Sequence, residues 1–476
     1  MKKVVSALAA LTMLLTFTAC TDDSDAGNKP AETTAPASDS EKPADKDEEE
    51  EKPADGEKTT LNIYAFTDEV PGMVKKYCEM NPDFAAKYEI KETIVPTTDG
   101  LYQPALDQAL LGGGKDAPDM YAAEAAFVLK YTQGDMAKYA AAYDDLGIDT
   151  AAKIAEAEIA QYSVDIGTNG DGKVVGLGYQ ATGGAFIYRR SIAKDAFGTD
   201  DPATIKSEIG PGWDKFFEAA EKLKAKGYGI VSGDGDMWHA VENSSESGWV
   251  DGNKLVIDAK REAFLDQSMK LMENNYHNDT KDWEEGWFSD MKGEGKKGIF
   301  GFFGPAWLIN YTMGDNCGDD KATEEREGTW GDWAVCEPPV GFFWGGTWVL
   351  GNKDSENKEA VGDIIEWITL DTSETGLQYM WANGTYNDAG TKDSVASNVV
   401  MKKSNGEIDF LGGQNMFDVF VPANEFANGK NLTQYDESIN KLWRDQVRQY
   451  TSGQKSREDA LKDFKQAVAD ELGLDT

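Results

Sequence analysis

Five tryptophans lie where an indole ring could reach a binding cleft. They follow or interrupt glycine-rich segments at the ends of predicted strands: Trp238, Trp307, Trp344, Trp348 and Trp381. A flat indole face can stack on the apolar C–H face of a ring-shaped ligand, while neighbouring carboxylates and amides hydrogen-bond the polar groups at its edge. Each of these residues could equally be an ordinary core side chain, as we expect for the tryptophans at helical spacing.

Carboxylates occur where two predicted strands end. Asp68 and Glu69 directly follow the first strand, at its carboxyl end, where open α/β sheets place their ligands. Asp119 and Glu124 follow a short strand beginning near Pro118 in the same way. A simpler role stays open for each pair, because acidic residues also favour the first turn of a helix and Asp119 could cap one.

The sequence offers little material for covalent or metal chemistry. Its two histidines, His239 and His277, lie far apart without neighbouring cysteines, which argues against a zinc site or a Ser/His/Asp arrangement. The sequence has neither a G-x-S-x-G elbow nor a phosphate-binding loop. Gln180 and Asn383 can donate and accept hydrogen bonds at once, as the recognition of hydroxyl groups requires. We therefore expect a binding site with no catalytic residue, metal or cofactor.

The amino-terminal segment has the pattern of an export signal. Lys2 and Lys3 precede an apolar run that ends at Ala19 and Cys20 and is too short for a comfortable membrane span. Residues 17–20, Phe-Thr-Ala-Cys, resemble the bacterial lipobox, with Phe17 in the place of the usual leucine. The pattern predicts a signal peptide over residues 1–19 and lipidation of Cys20, whose acyl chains would bind the membrane. The alternative is a secreted protein with a free cysteine.

An acidic, low-complexity segment follows. Residues 21–60 contain fourteen acidic and five basic residues and repeat the phrase EKPAD, which predicts a disordered tether over residues 20–58. The whole chain carries a net charge of −38, which argues against a nucleic-acid partner. The same charge argues against adsorption to anionic lipid, so we expect membrane contact only through the anchor.

Alternating strand and helix patterns predict an α/β fold. Residues 61–66, 88–95 and 118–121 have strand patterns, and helical patterns cover 70–80 and 102–111, which together indicate a largely parallel sheet. Roughly 415 residues remain after the tether, which suggests two domains. Glycine-punctuated strands at 173–190 and 335–350 suit crossings between two lobes. Cys317 and Cys336 could form a disulfide or remain core residues.

These features occur in an order that resembles the family 1 extracellular solute-binding proteins of carbohydrate ABC transporters, the relatives of maltose-binding protein. The resemblance covers residues 59–476 and is carried by the lipobox, the tether and four segments: Thr67-Asp68-Glu69, Ala117-Pro118-Asp119-Met120-Tyr121, Tyr179-Gln180-Ala181-Thr182-Gly183-Gly184-Ala185-Phe186-Ile187-Tyr188-Arg189 and Gly345-Gly346-Thr347-Trp348. The resemblance implies a two-lobed, periplasmic-binding-protein-like α/β fold with a hinge and a sugar-binding cleft between discontinuous lobes. It also implies that Trp307, which follows Gly304-Pro305, presents its ring to the cleft.

The resemblance further implies lobe boundaries and partners. One lobe would comprise 59–181 and 339–383, and the other 182–338 and 384–476, with a third crossing near 381–387. The expected partners are an oligosaccharide or other sugar and an ABC transporter permease, and we expect a monomer. The expected location is the outer face of the cytoplasmic membrane, with a Gram-positive-type envelope favoured by the long tether.

Two other functions remain compatible with the residues. A glycoside hydrolase also needs aromatic side chains, together with two carboxyls held across the scissile bond. An acidic, aromatic cleft would also suit peptides or polyamines, through carboxylates and cation–π contacts. The order of the motifs favours capture of a sugar without chemistry.

Overall fold

The computed structural model describes residues 58–318 and 328–476. The predicted signal peptide, Cys20 and the tether as far as residue 57 lie outside the described residues. The strands are β1 (Thr59–Ala65), β2 (Tyr88–Ile94), β3 (Met120–Glu124), β4 (Gly176–Gly178), β5 (Ala185–Arg189), β6 (Val250–Asp251), β7 (Lys254–Leu255), β8 (Gly301–Gly304), β9 (Trp333–Cys336) and β10 (Thr347–Gly351).

Helices cover the sheets and form much of the chain. They are α1 (Glu69–Met80), α2 (Pro82–Lys87), α3 (Tyr102–Gly112), α4 (Val128–Thr132), α5 (Thr150–Ala157), α6 (Gln161–Gly167), α7 (Arg190–Phe197), α8 (Pro202–Ile209), α9 (Gly212–Ala225), α10 (Asp234–Ser244), α11 (Ala259–Glu273), α12 (Glu285–Lys292), α13 (Gly314–Asn316), α14 (Lys358–Thr369), α15 (Leu377–Ala382), α16 (Asn398–Lys403), α17 (Phe417–Phe426), α18 (Asp436–Thr451) and α19 (Arg457–Leu472). A π-helix, Leu308–Met313, precedes α13.

The first sheet has five strands in the order β2-β1-β3-β10-β4. β1 runs parallel to β2 and β3, whereas β10 runs antiparallel to β3 and β4. Consecutive residues Leu61, Asn62 and Ile63 of β1 are all buried, because helices cover both faces of this sheet. The apolar stripe of α14 is core: Val361, Ile364, Ile365 and Ile368 are fully buried.

The second sheet has three strands in the order β8-β5-β9, and both pairings are antiparallel. The expectation of a largely parallel fold is therefore wrong outside β1, β2 and β3. The alternating pattern was clear only in the first part of the sequence. The strands of the second sheet are separated by long connections, so their order in the sequence carries no information about their relative direction.

The chain passes between the sheets in two intervals. It leaves the first sheet after Gly178 and enters the second at Ala185, and it returns between Cys336 and Thr347. After α15, helix α16 contacts α5 and α15, α17 contacts both α6 and β5, and α18 packs on α11. The third crossing near 381–387 and the lobe boundaries stay predictions.

Cys78, Cys317 and Cys336 are free thiols, so the described structure has no disulfide between the last two. Cys317 and Cys336 are both buried and act as core residues. Within residues 58–318 and 328–476, no helix is long and apolar enough to cross a membrane. The same residues contain no group of three or more His, Cys, Asp or Glu side chains placed to hold a metal ion.

Candidate functional site

A cavity of about 540 Å³ lies between the carboxyl end of β3 and helices α10 and α18. This volume is in the range that proteins use for small-molecule ligands. Elements of both sheets contribute to it, because Glu124 ends β3 whereas α10 contacts β8. The side chains that carry its chemistry are Glu124, Trp238, His239, Glu242, Asn243, Asp282, Trp283, Trp344, Asp436, Asn440, Arg444 and Arg448.

One wall of the cavity is aromatic. Trp344 stacks on His239, with ring centroids 3.6 Å apart and planes 15° apart. Trp307 meets Trp344 edge to face at 4.7 Å, and its indole Nε1 donates a hydrogen bond to the backbone oxygen of Trp344 at 3.0 Å. Trp283 lies parallel to Trp307, with centroids 6.2 Å apart. These four rings, called here the aromatic wall, present flat apolar faces beside polar groups.

Gly345 allows this wall to close. Its φ of +67° is in the left-handed region, and a Cβ there would lie 3.3 Å from the Trp307 ring and 3.5 Å from the Glu124 carboxylate. A larger residue would therefore strain the backbone and crowd the Trp307 ring, while it would only touch the Glu124 carboxylate. The contacts at the cavity thus explain why the segment before β10 has glycine at position 345.

The opposite wall is polar and is formed by α10 and α18. Glu242 accepts a hydrogen bond from the Asn440 amide, and Asp436 Oδ1 accepts from the backbone N–H of Thr433 at 3.1 Å and from its hydroxyl at 2.5 Å. The amide nitrogen of Asn243 donates to the backbone oxygen of Phe343 at 2.7 Å. These bonds fix the three side chains.

Three buried polar atoms among the cavity residues have no hydrogen-bond partner: Asp436 Oδ2, Asn243 Oδ1 and His239 Nε2. Two of them are oxygens that act as acceptors: one belongs to the Asp436 carboxylate, and the other to the Asn243 amide, whose nitrogen already donates to the backbone oxygen of Phe343. An unsatisfied buried acceptor is costly. A ligand that brings hydroxyl or N–H donors would remove that cost.

Burial also controls the charges of the polar wall. Burial, reinforced by repulsion from Asp436, raises the pKa of Glu242 to about 7, and burial raises the pKa of Asp436 to about 6. Burial likewise raises the pKa of Glu124, across the cavity, to about 7. These carboxyls change charge close to neutral pH, so a ligand can alter their protonation.

Asp282 and Arg444 form the strongest ion pair at the site. Arg444 donates to both carboxylate oxygens of Asp282, with one N···O distance of 3.0 Å. Although burial opposes it, this pairing lowers the pKa of Asp282 to about 2. Burial, with help from the Arg444 charge, lowers the pKa of His239 to about 3, so the imidazole stacked on Trp344 is neutral.

The structure brings some predicted site residues together at this cavity. Trp344, Trp238 and Glu124 line it, and Trp307 contacts Trp344 directly. Trp238 is only 2% exposed and packs on Trp249 and Phe264, so it supports the wall more than it faces a ligand.

Two other predicted residues have structural roles. Trp348 is buried in the core, and its Nε1 donates to the backbone oxygen of Ser163 at 3.1 Å. The expected position of Asp119 after a strand is wrong, because β3 begins at Met120 and Asp119 therefore lies at its amino end. Its carboxylate accepts from the backbone N–H of Asn62 at 2.8 Å and from the Ser355 hydroxyl at 2.5 Å, which ties β1 to the segment after β10.

A second group of rings and carboxyls lies away from the cavity lining. Trp381 is stacked between Tyr179, at 5.6 Å, and Tyr386, at 5.3 Å, and the Tyr179 hydroxyl donates to Glu69. Burial raises the pKa of Glu69. These four residues are called here the Glu69 cluster.

The remaining predicted residues lie close to the Glu69 cluster in the chain. Asp68 is exposed just before α1, and Gln180 is buried in the segment that joins β4 to β5. The Asn383 amide donates to the Tyr379 backbone oxygen at 3.0 Å and to the Ser404 hydroxyl at 2.8 Å, so its donors are already used. A role in ligand binding stays a prediction for each of these residues.

Several cavity residues were not predicted from the sequence. Asp436, Asn440, Arg444 and Arg448 recur every four residues along α18, and His239, Glu242 and Asn243 share one face of α10. Polar residues at helical spacing could have indicated these positions, although most polar helix faces in proteins face solvent. Trp283 had no comparable signal.

Comparisons with known proteins bear on this architecture. The family model of the bacterial extracellular solute-binding proteins matches residues 66–374. A solved structure of an extracellular solute-binding protein of family 1 has a TM-score of 0.69 and 18% identity, over 87% of this chain and 99% of that chain. A comparison with curated protein sequences found no match.

Two further solved structures are similar and contain bound sugars. The galacto-N-biose-/lacto-N-biose I-binding protein of Bifidobacterium longum, in complex with lacto-N-biose, has a TM-score of 0.64 and 17% identity, over 89% of this chain and 100% of that chain. An ABC substrate-binding protein of Listeria monocytogenes, in complex with cycloalternan, has a TM-score of 0.60 and 15% identity, over 88% and 100% of the two chains. At these identities the likeness shows the fold, which confirms the predicted two-lobed α/β architecture.

Proposed function

This chain belongs to the bacterial extracellular solute-binding protein family, and on that premise we propose that it captures an oligosaccharide outside the cytoplasmic membrane and delivers it to the permease of an ABC transporter. The observation that carries the proposal is one cavity that joins an aromatic wall to unpartnered buried acceptors. A sugar supplies the matching chemistry, because its C–H faces stack on indoles and its hydroxyls donate hydrogen bonds. The sugar complexes of the Bifidobacterium and Listeria proteins support the same ligand class.

The proposed mechanism is capture by closure, without chemistry. The open form samples closure, and a sugar that contacts Glu124 on one side and α10 and α18 on the other favours the closed form. A ligand shifts this equilibrium only by its better affinity for one state. The hinge would lie in the two intervals between the sheets, 179–184 and 337–346. We propose lobes of 59–181 with 339–383 and of 182–338 with 384–476, with the third crossing near 381–387.

We also propose that Cys20 carries the anchor and that the acidic segment to residue 58 is its tether. The protein would then be a monomer at the outer face of the cytoplasmic membrane. Cys20→Ala should release the protein into the medium and leave its affinity for sugar unchanged. Fractionation of cells and a titration of the released protein measure both, and a released protein without affinity would refute the separation of anchor and site.

A calorimetric or array screen of neutral oligosaccharides, peptides and polyamines tests the function directly. We expect a glycan to bind and to raise the melting temperature, because it prefers the folded, closed state. Binding of peptides or polyamines alone would make the sugar assignment wrong. Shortening of an oligosaccharide during incubation, abolished by Glu242→Gln or Glu124→Gln, would instead show a glycoside hydrolase.

A further inference from the structure

Trp283 has a backbone conformation that bulky residues avoid. Its φ is +65°, and in the described chain only three other residues besides glycine have a positive φ: Glu158, Asn275 and Asp279. Asn275, Asp279 and Trp283 all lie in the connection between α11 and α12. Asparagine and aspartate tolerate this region of backbone space, whereas tryptophan is an outlier there. Strain of this kind persists only where the surroundings impose it.

The surroundings of Trp283 do impose it. The preceding residue, Asp282, is held by the paired hydrogen bonds from Arg444 of α18, and a second guanidinium, that of Arg448, lies 3.9 Å away. Upstream in the same connection, the Thr280 hydroxyl is hydrogen-bonded to the Ser232 hydroxyl at 2.5 Å. The connection is therefore held at two points just before the tryptophan, by contacts that need no ligand.

The fixed indole lies at the exposed end of the aromatic wall. Its residue is 47% exposed, which makes it the most exposed tryptophan of the cavity lining. It lies parallel to Trp307, within 8°, and 6.0 Å from Trp344. Trp344 in turn stacks on His239 of α10, the helix that also carries Asn243. Trp344 therefore contacts both Trp283 and His239.

We propose that Trp283 is a specificity-determining residue that stacks on a second sugar ring while the polar wall holds the first. This inference rests on the proposed function and adds a statement about ligand length. Asp436 lies eight residues before Arg444 on α18, a rise of about 12 Å, and Trp283 directly follows the Asp282 that Arg444 holds. A single pyranose held at Asp436 therefore does not reach Trp283. A ligand of two or more rings reaches both, so the cleft prefers oligosaccharides to their monosaccharide units. Arg444 is the positioning residue, since it holds Asp282 and through it the strained indole.

Calorimetric titration with the best oligosaccharide of the screen, and with its monosaccharide unit, tests this proposal. Wild-type protein should bind the oligosaccharide more tightly. Trp283→Ala should weaken oligosaccharide binding on the order of tenfold and leave monosaccharide binding unchanged, because one aromatic stacking contact with its buried area is worth roughly that factor. Trp283→Phe should keep most of the preference. Tyr311→Ala is the matched control, because Tyr311 is 69% exposed and is not a residue of this cavity lining.

The positioning role has its own variant and control. Arg444→Lys keeps a positive charge but loses the planar fork that holds both oxygens of Asp282. It should reduce the preference for the oligosaccharide more than it reduces monosaccharide binding. Arg457→Lys removes a similar fork, on Asp266 and Glu262, and should leave both affinities unchanged.

The outcomes separate this proposal from the function on which it rests. A wild-type protein that prefers oligosaccharides, together with a Trp283→Ala variant that keeps the whole preference, overturns the role of Trp283 and leaves sugar capture intact. Equal binding of monosaccharide and oligosaccharide by the wild type overturns the length preference. Absence of binding to any saccharide overturns the proposed function and this inference together.

Discussion

The aromatic wall and the Glu69 cluster contain the same kinds of residue but differ in what they leave unsatisfied. Both stack rings beside buried carboxyls whose pKa is raised, as in Glu242 and Glu69. In the Glu69 cluster the carboxylate accepts from Tyr179, and both faces of Trp381 are covered by tyrosines. Around the aromatic wall, three buried polar atoms lack partners and Trp283 is half exposed. Stacked rings and perturbed acids therefore do not distinguish the two regions, and the proposed site rests on the unmet hydrogen bonds beside a cavity.

Removal of Trp381 gives the largest expected effect. Trp381→Ala should destabilise the fold by about 3–5 kcal/mol, because it opens a void between Tyr179 and Tyr386 in the core. Chemical denaturation measures this loss. The affinity of the protein that remains folded should change little, and a large loss of affinity would make the Glu69 cluster part of the ligand site.

Trp344→Ala should weaken ligand binding more than it destabilises the fold. The indole contacts both His239 and Trp307 at the centre of the cavity, so its loss should weaken sugar binding by about 2 kcal/mol or more, roughly thirtyfold. Calorimetric titration measures the change. Binding within a factor of two of the wild type would remove the aromatic wall from the proposed site.

The strain at Trp283 should appear in stability. The free energy of unfolding of the Trp283→Gly variant should be equal to that of the Trp283→Ala variant or higher by up to about 1 kcal/mol. The reason is that glycine adopts positive φ without cost. Ala155→Gly, at an exposed position in α5, is the control and should lose about 0.5–1 kcal/mol. If the glycine variant at 283 is the less stable of its pair, the backbone there is unstrained.

The smallest expected effect is a proton released when a sugar binds near neutral pH. Hydroxyls that donate to Glu242 and Asp436 favour the ionised carboxylates, so ligand lowers pKa values that now lie at about 7 and about 6. Protons therefore leave the protein on binding, and calorimetry in two buffers of different ionisation enthalpy counts them.

Two variants make the proton measurement specific. Glu242→Gln should reduce the release. Asp393→Asn should not, although burial raises the pKa of Asp393 to about 7 as well, because Asp393 is not a residue of the cavity lining. Proton uptake, or a release that depends on Asp393 alone, would contradict the assignment of the polar wall.

The sequence predicted those site residues whose position follows from the end of a strand. Glu124, the last residue of β3, and Trp344, shortly before β10, do line the cavity, and their role in ligand binding stays a prediction. The same reasoning placed Asp119 wrongly, since the strand begins after it and not before it. Trp348 satisfied the same rule but lies within β10, with its ring in the core.

The residues of α18 could not be assigned to the site in the same way. A polar stripe at Asp436, Asn440 and Arg444 has the spacing of a solvent-facing helix, and only the packing of α18 on α11 turns it toward the cavity. Trp283 was missed for a different reason. Nothing in the local sequence of a tryptophan indicates a positive φ, because contacts from distant residues impose it.

The polar wall depends on α18, which follows every strand of both sheets in the chain. A polypeptide that emerges amino end first therefore completes its sheets before it can complete its cavity. The polar wall of the proposed site is complete only once α18 packs on α11 and α19, so we expect a chain that lacks α18 not to retain a sugar. Because α18 comes after all the strands, we expect retention of a ligand to indicate that the chain has completed its folding.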